Sequence, residues 1–162
     1  IAHARFNNRD RRGNSDFFSC ENKFAIYIKE GKVTIEECDM QSECGTVVFC
    51  NPRSTSRLVK NRICGSIGSG IMATGKQASK QALQQASKQA AKQCRVMAEG
   101  NHIYGGTGCG IDIRNNASCL LQKNKIHNCD KSGIYILMTS EAKIYRNEIS
   151  ENHFSGIEIT NA

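Results

Sequence analysis

The sequence lacks three features that would narrow its function directly. None of its apolar runs reaches the ~18 residues of a membrane span. The first residues, IAHARFNNRDRRGNSD, contain neither Met nor an apolar core, so we expect no signal peptide and interpret the chain as part of a longer protein. No two cysteines are spaced C-x-x-C, which argues against a structural zinc site. We therefore expect neither a metal nor a cofactor.

Cysteine itself is abundant, since the chain contains nine of these residues. An odd number cannot pair completely within one chain, and the cysteines are scattered at apolar positions, where they usually act as small buried thiols. We expect all nine thiols to be free. Free thiols in this number favour a reducing compartment, so the sequence predicts an intracellular, cytoplasmic protein.

The net charge of +7 is confined to two segments. Residues 1–15 contain four arginines and one aspartate, which gives +3, and residues 76–92 contain four lysines and no acid, which gives +4. The remainder of the chain is therefore neutral. A protein that binds nucleic acid through its body should carry a basic stripe there, so this distribution argues against nucleic acid as a partner.

A repeat of 23 residues dominates the second half of the chain. The fragments GIDIR, GIYIL and GIEIT begin at Gly110, Gly133 and Gly156, and an N-x-I motif precedes each of them by nine residues. The same pair of motifs occurs upstream at Asn61 and Gly70, and the interval from Asn61 to the next copy is 40 residues, which is 23 plus an insertion of 17. Similar alternation further upstream brings the count to about five units, with AIYI at residue 25 as a possible sixth.

Each unit contains short stretches in which apolar and polar residues alternate, as in half-buried strands, and none has room for a helix. The sequence therefore predicts an all-β fold, a parallel β-helix with coils of ~23 residues that stack like side chains in columns. The glycine should allow a bend that a Cβ would crowd, and the asparagine should hydrogen-bond the bends of adjacent coils. Three inward isoleucine columns are expected: Ile111, Ile134 and Ile157; Ile113, Ile136 and Ile159; and Ile103, Ile126 and Ile149.

The N-x-I and G-I-x-I pattern at this period resembles the right-handed parallel β-helix repeat of the pectin-lyase-like superfamily over residues 24–162, apart from the insertion. That superfamily includes polysaccharide lyases, hydrolases and epimerases. It also includes intracellular binding proteins, such as the SHC SH2-domain-binding proteins and their relative Nessun dorma, which are implicated in spindle and midbody biology. The cysteine-rich, tryptophan-free coils here look more like the intracellular members.

The outward position within G-I-x-I holds Met72, Asp112, Tyr135 and Glu158. Two acids two coils apart approach the spacing of an inverting glycosidase pair. Tyr135 separates them, however, and Arg114 is expected to form a surface ion pair with Asp112. His127 is expected to be exposed near Asp130. Asp112, Arg114 and His127 are therefore weak catalytic candidates, and the sequence lacks the D-D, G-H-G, R-I-K and D-P-H-E motifs of the enzymes.

The same outer surface is a candidate for binding, because a β-helix presents a long preformed face. Tyr135, Asp112, Glu158 and Tyr145 are the candidate contacts on the body. The insertion KQASKQALQQASKQAAKQ, residues 76–93, is predicted to be a basic helix or a disordered loop. Its lysines are candidates for contact with an acidic partner: Lys76, Lys80, Lys88 and Lys92.

The sequence thus divides into a basic N-terminal arm or partial first coil, residues 1–23, and an interrupted β-helix, residues 24–162. We expect a non-catalytic module of a larger intracellular protein that binds a protein, or a glycan, in spindle or cytokinesis scaffolding. The alternative is a fragment of a carbohydrate-active enzyme that acts on a polyuronate or another glycan. The final GIEITNA stops at a strand without a polar cap, so we expect further coils, a cap or a second copy to cover it.

Overall fold

The structure, a computed structural model, describes residues 5–8, 24–65, 67–76, 94–137 and 140–160. Within these ranges the chain contains fifteen β-strands and no helix, and every strand pairing is parallel. The strands wind into a parallel β-helix with three faces, as the repeat predicts. The expected helix or loop at residues 77–93 lies outside the described residues.

Face 2 is a six-stranded sheet. Faces 1 and 3 share a nine-stranded sheet, because strands β2 (Phe24–Glu36) and β4 (Thr46–Val59) each pass around the corner between these two faces. Face 1 contains the second halves of β2 (Phe24–Glu36) and β4 (Thr46–Val59), followed by β7 (Arg95–Glu99), β10 (Ser118–Gln122) and β13 (Glu141–Tyr145). Face 2 contains β1 (Arg5–Asn8), β3 (Asp39–Ser42), β5 (Arg62–Cys64), β8 (His102–Tyr104), β11 (Lys125–His127) and β14 (Glu148–Ser150). Face 3 contains the first halves of β2 and β4, then β6 (Ile71–Thr74), β9 (Ile111–Arg114), β12 (Ile134–Leu137) and β15 (Ile157–Thr160).

The register confirms the predicted columns. Ile134 pairs with Ile111 on one side and with Ile157 on the other, and Ile126 lies between Ile103 and Ile149. Cys119, expected to be buried in one column with Val96 and Ala142, is 4% exposed. The pairing of β2 with β4 also shows that AIYI is an earlier copy of the repeat.

Two isoleucines of the predicted core are exposed. Ile157 and Ile159 occupy the inward columns, yet they are 44% and 75% exposed, whereas Ile134 and Ile136 in the preceding coil are 0% and 6% exposed. The reason is that β15 is an edge strand among the described residues, so no coil covers its outer side. Column position therefore sets which way a side chain points, and the neighbouring coil sets whether it is buried.

The asparagines form a continuous ladder at the bend between faces 1 and 2. Asn124 Oδ1 accepts hydrogen bonds from the backbone N–H and the amide of Asn101, and Asn124 Nδ2 donates to the Ala98 carbonyl. The residue before each of the four ladder asparagines, and before Cys38 at the equivalent place in the preceding coil, has a positive φ of 50–65°: Glu37, Lys60, Gly100, Lys123 and Arg146. Four of these five residues carry a Cβ, which is unfavourable in the left-handed region, and the ladder holds them there.

The repeated glycines permit a close approach at the start of the face 3 strands. A Cβ on Gly110 would lie 2.5 Å from Ile126 Cγ2 and 2.7 Å from the Gly133 carbonyl oxygen. A Cβ on Gly133 would lie 2.7 Å from Ile149 Cγ2. The expectation of crowding is confirmed, and the crowding atoms belong to the next coil and to the isoleucine column of face 2.

Candidate functional site

One column of outward side chains runs along face 3 from the first coil to the last. The sequence predicts four of its members, and the structure adds Phe49 and Tyr27, which pair in register beyond Met72. The alternation in VVFC and AIYI was the signal for these two positions. The outer column, as we name it, is therefore Tyr27, Phe49, Met72, Asp112, Tyr135 and Glu158.

Asp112 and Arg114 form a two-bond ion pair in the middle of this column. Arg114 Nε and Nη2 donate to the two carboxylate oxygens, each at 2.6 Å. The pair was expected, but its placement on the open surface was wrong, because the Asp112 side chain is only 2% exposed and Arg114 covers it at 41% exposure. The hydrogen bonds with Asp112 raise the pKa of Arg114 above its ordinary value, although burial opposes this.

Tyr135 and Glu158 extend this polar part of the column. The Arg114 guanidinium carbon lies 5.7 Å from the centre of the Tyr135 ring, within the range of a cation–π contact. The Ser132 hydroxyl donates to Glu158 Oε2 at 2.5 Å. Each of the two predicted acids is thus engaged by a neighbouring donor.

A groove of about 390 Å³ lies between the outer column and the bends that precede face 3. The second half of the outer column, from Met72 to Glu158, forms its floor. Its wall includes Ile67, Gly68, Thr107, Lys131 and Phe154. Ile67 and Phe154 are 49% and 65% exposed, so the wall presents apolar surface to a ligand.

Hydrogen bonds between coils hold this wall in place. Thr107 Oγ1 donates to the Ile67 carbonyl at 2.5 Å, and the Gly108 N–H donates to the Gly68 carbonyl at 3.2 Å. The two backbones approach so closely that a Cβ on Gly108 would lie 2.5 Å from the Gly68 oxygen. The groove is therefore built before any ligand arrives.

The first half of the outer column is aromatic. The rings of Phe24, Tyr27 and Phe49 lie 4.4–5.7 Å apart between centroids, and Tyr27 is 50% exposed. Asn51 Nδ2 donates to the Tyr27 hydroxyl at 2.6 Å, which orients the ring. Together with Met72, this cluster gives face 3 an apolar end and a polar end.

The remaining predicted site residues lie elsewhere. His127 is on face 2, where it contacts His102, Tyr104 and Asn128, and it is separated from Asp112 and Arg114 by a corner of the coil. The three weak catalytic candidates are therefore not assembled.

The predicted binding residues are also divided. Tyr145 is 45% exposed at the end of β13 on face 1, and Lys76 is exposed just after β6. The lysines at 80, 88 and 92 lie outside the described residues.

A second groove, which sequence reasoning missed, lies on face 1. It has a volume of about 810 Å³ and follows the first residues of the face 1 strands, with Met97 and Leu120 among its outward side chains. The signal for it was the outward apolar residue in RVMAE and SCLLQ. The groove on face 3 is smaller, but it combines an ion pair, a tyrosine and apolar walls, so it offers more specific recognition.

The eight described cysteines are free thiols, as expected for these residues, and Cys20 lies outside the description. Burial raises the pKa of Cys50 to about 12 and that of Cys109 to about 11. These thiols remain protonated and unreactive near neutral pH. In the described residues, no cluster of three or more His, Cys, Asp or Glu side chains is arranged to hold a metal ion.

The described part of the chain also contains no helix with the length and apolar character needed to cross a bilayer.

Among known protein families, the model of the right-handed β-helix region matches residues 46–162, which is most of the chain. The chain belongs to the right-handed β-helix family. No curated protein and no solved structure matches it. Membership in the β-helix family defines the fold and the hand of the coil and leaves the function of the outer column to be argued from its geometry.

Proposed function

We propose that the chain is a non-catalytic interaction module of a larger intracellular protein, and that it binds an extended segment of a protein partner along the outer column of face 3. One observation carries the proposal: six outward side chains lie in register on one rigid face, aromatic at one end and polar at the other. At ~4.8 Å per coil the column is ~24 Å long, which matches about seven residues of extended peptide.

The chemistry of the groove supports binding in preference to catalysis. An inverting glycosidase needs one carboxyl group free to donate a proton and another free to activate water. Asp112 is buried beneath Arg114 and bonded to it through both oxygens, and Glu158 accepts a hydrogen bond from Ser132. Asp112 therefore has no free carboxylate oxygen for proton transfer in this arrangement, which leaves the pair of acids incomplete.

The resemblance of the coils to the SHC-binding and Nessun dorma proteins supports a finer version of this proposal. In that version the module acts in spindle or cytokinesis scaffolding, in the cytoplasm and associated with the cytoskeleton. The basic insertion, which begins at the exposed Lys76, would attract an acidic partner by long-range electrostatics.

The test measures binding of the protein to tubulin and to a panel of glycans and polyuronates. Met72→Ala and Tyr135→Ala, both on the outer column, should weaken binding of the partner by about 10-fold or more, as expected when an interface anchor is truncated. Met97→Ala and Tyr145→Ala are the matched controls, because they remove the same side chains from face 1 and should leave the affinity within about 2-fold.

Two outcomes would contradict the proposal. Equal losses for the face 3 and face 1 variants would move the binding surface away from the outer column. Cleavage of a polyuronate that is abolished by Asp112→Asn would favour the alternative, a carbohydrate-active enzyme.

A further inference from the structure

Face 2 presents two histidines whose ring nitrogens meet. His102 lies at the start of β8 and His127 at the end of the adjacent strand β11, with both side chains on the outer side of the sheet, opposite the buried Ile103 and Ile126. The Nε2 atoms of the two rings are 2.7 Å apart. The Tyr104 ring contacts both imidazoles, with centroids 4.5 Å from His102 and 5.5 Å from His127.

The neighbours of this pair define which ring nitrogens carry protons. Asn128 Nδ2 lies 3.0 Å from His127 Nδ1 and can only donate, so in this arrangement Nδ1 is the acceptor and His127 carries its proton on Nε2. His127 Nε2 then donates to His102 Nε2, and His102 carries its proton on Nδ1. With this placement of protons, the lone pair of His102 Nε2 points into the space between the rings.

We propose that His102 and His127 form a two-imidazole site for a divalent transition-metal ion of the Ni²⁺, Cu²⁺ and Zn²⁺ class. Neutral imidazole is a preferred ligand of these ions. Two nitrogens at ~2.0–2.1 Å from one ion lie somewhat further apart than 2.7 Å. The rings therefore separate by a few tenths of an ångström as the ion replaces the shared proton.

Metal binding releases no proton to solvent, because His127 and Asn128 rearrange to retain it. His127 moves its proton from Nε2 to Nδ1, and the Asn128 amide rotates so that its oxygen accepts that proton in a hydrogen bond. Metal-bound histidines usually donate their second N–H to such an oxygen, which fixes the ring orientation. Asn128 is exposed, so its amide is free to rotate.

The surrounding charges permit a cation at this place. Arg62 is bonded to Asp39 through two hydrogen bonds of 2.9 Å, and Lys125 is 3.1 Å from Glu148, so each neighbouring cation has an acid partner that offsets part of its repulsion. Because the described residues supply only these two ligands, water completes the coordination and the ion exchanges readily.

A calorimetric titration of the untagged protein with Ni²⁺ tests the site. His102→Ala and His127→Ala should each lower the Ni²⁺ affinity by about 10-fold or more, because two imidazoles on one rigid face bind at a high effective concentration. The double variant should bind no more tightly than the weaker single variant, because it retains neither imidazole. His127→Gln, which keeps a hydrogen-bonding group at this position, should lose affinity like His127→Ala.

Two controls separate this site from other ligands. His153→Ala removes an exposed histidine of another coil and should leave the affinity unchanged. Cys64→Ala removes the half-buried thiol that pairs in register with Tyr104, and it should also leave the affinity unchanged. Retention of wild-type affinity by either face 2 histidine variant, or its loss in the Cys64 or His153 variant, would overturn the proposal.

Discussion

Two neighbouring coils carry almost the same motif and have different environments. In the coil of β10 to β12, Ile134 and Ile136 are 0% and 6% exposed, whereas in the coil of β13 to β15 the equivalent Ile157 and Ile159 are 44% and 75% exposed. The backbone register is the same in both. The contrast teaches that, in a solenoid, burial comes from the two adjacent coils, so one repeat cannot stabilise itself.

The largest expected effect comes from truncating the interior column. Ile134→Ala should lower the free energy of unfolding by ~2–5 kcal/mol, because it leaves a cavity between two packed coils. Ile159→Ala should cost under about 1 kcal/mol, since most of its side chain is already in contact with water. Denaturant unfolding of both variants measures the difference, and equal losses would show that the last coil is covered in solution.

The asparagine ladder offers a second comparison of the same coils. Asn124 is buried, so Asn124→Ala removes hydrogen bonds to the coils on both sides and should cost about 1–3 kcal/mol, the range for buried groups left without partners. Asn147 also accepts from the preceding coil, but it lies at the edge of the described coils, where water can replace it. Asn147→Ala should therefore destabilise less, and thermal unfolding that ranks the two variants in reverse order would contradict this.

The smallest expected effect is on the pH dependence of stability, and it comes from His102 in an interior coil. Burial lowers the pKa of His102 in the folded protein, so below about pH 6.5, the ordinary value for histidine, the unfolded chain binds more protons. This contribution to stability is fully present above pH 6.5 and is lost as the pH falls. His102→Gln should flatten the decline between pH 7 and pH 5.5, and an unchanged slope in denaturant unfolding would refute the assignment.

Most of the fold could be predicted because its strands belong to a repeat with a fixed period. The 23-residue period, the N-x-I and G-I-x-I spacing and the alternation predict the strands, the inward isoleucines and the asparagine ladder, all of which the structure bears out. A local pattern is sufficient here because each residue contacts its counterpart one period away. The same alignment could also have placed Tyr27 and Phe49 in the outer column.

The candidate site was less predictable, because it depends on contacts between side chains. The outward position of Asp112 follows from the alternation, but its burial depends on Arg114 folding over it and on Tyr135 in the next coil. The meeting of His102 and His127 depends on a diagonal contact between strands, 25 residues apart in the chain. No periodic pattern in the sequence indicates where two such side chains converge.

The sequence by itself determined the period, the direction in which each strand residue points and the columns that stack, because these follow from backbone geometry repeated every 23 residues. Only the tertiary structure decided which of those side chains lose contact with water and which polar groups pair. Ile134 and Ile157 share a motif and a column, yet within the part of the chain that the structure describes Ile134 has a coil on both sides and Ile157 on one. Burial and side-chain pairing are properties of the assembled stack, since neighbouring coils remove the water and supply the partners.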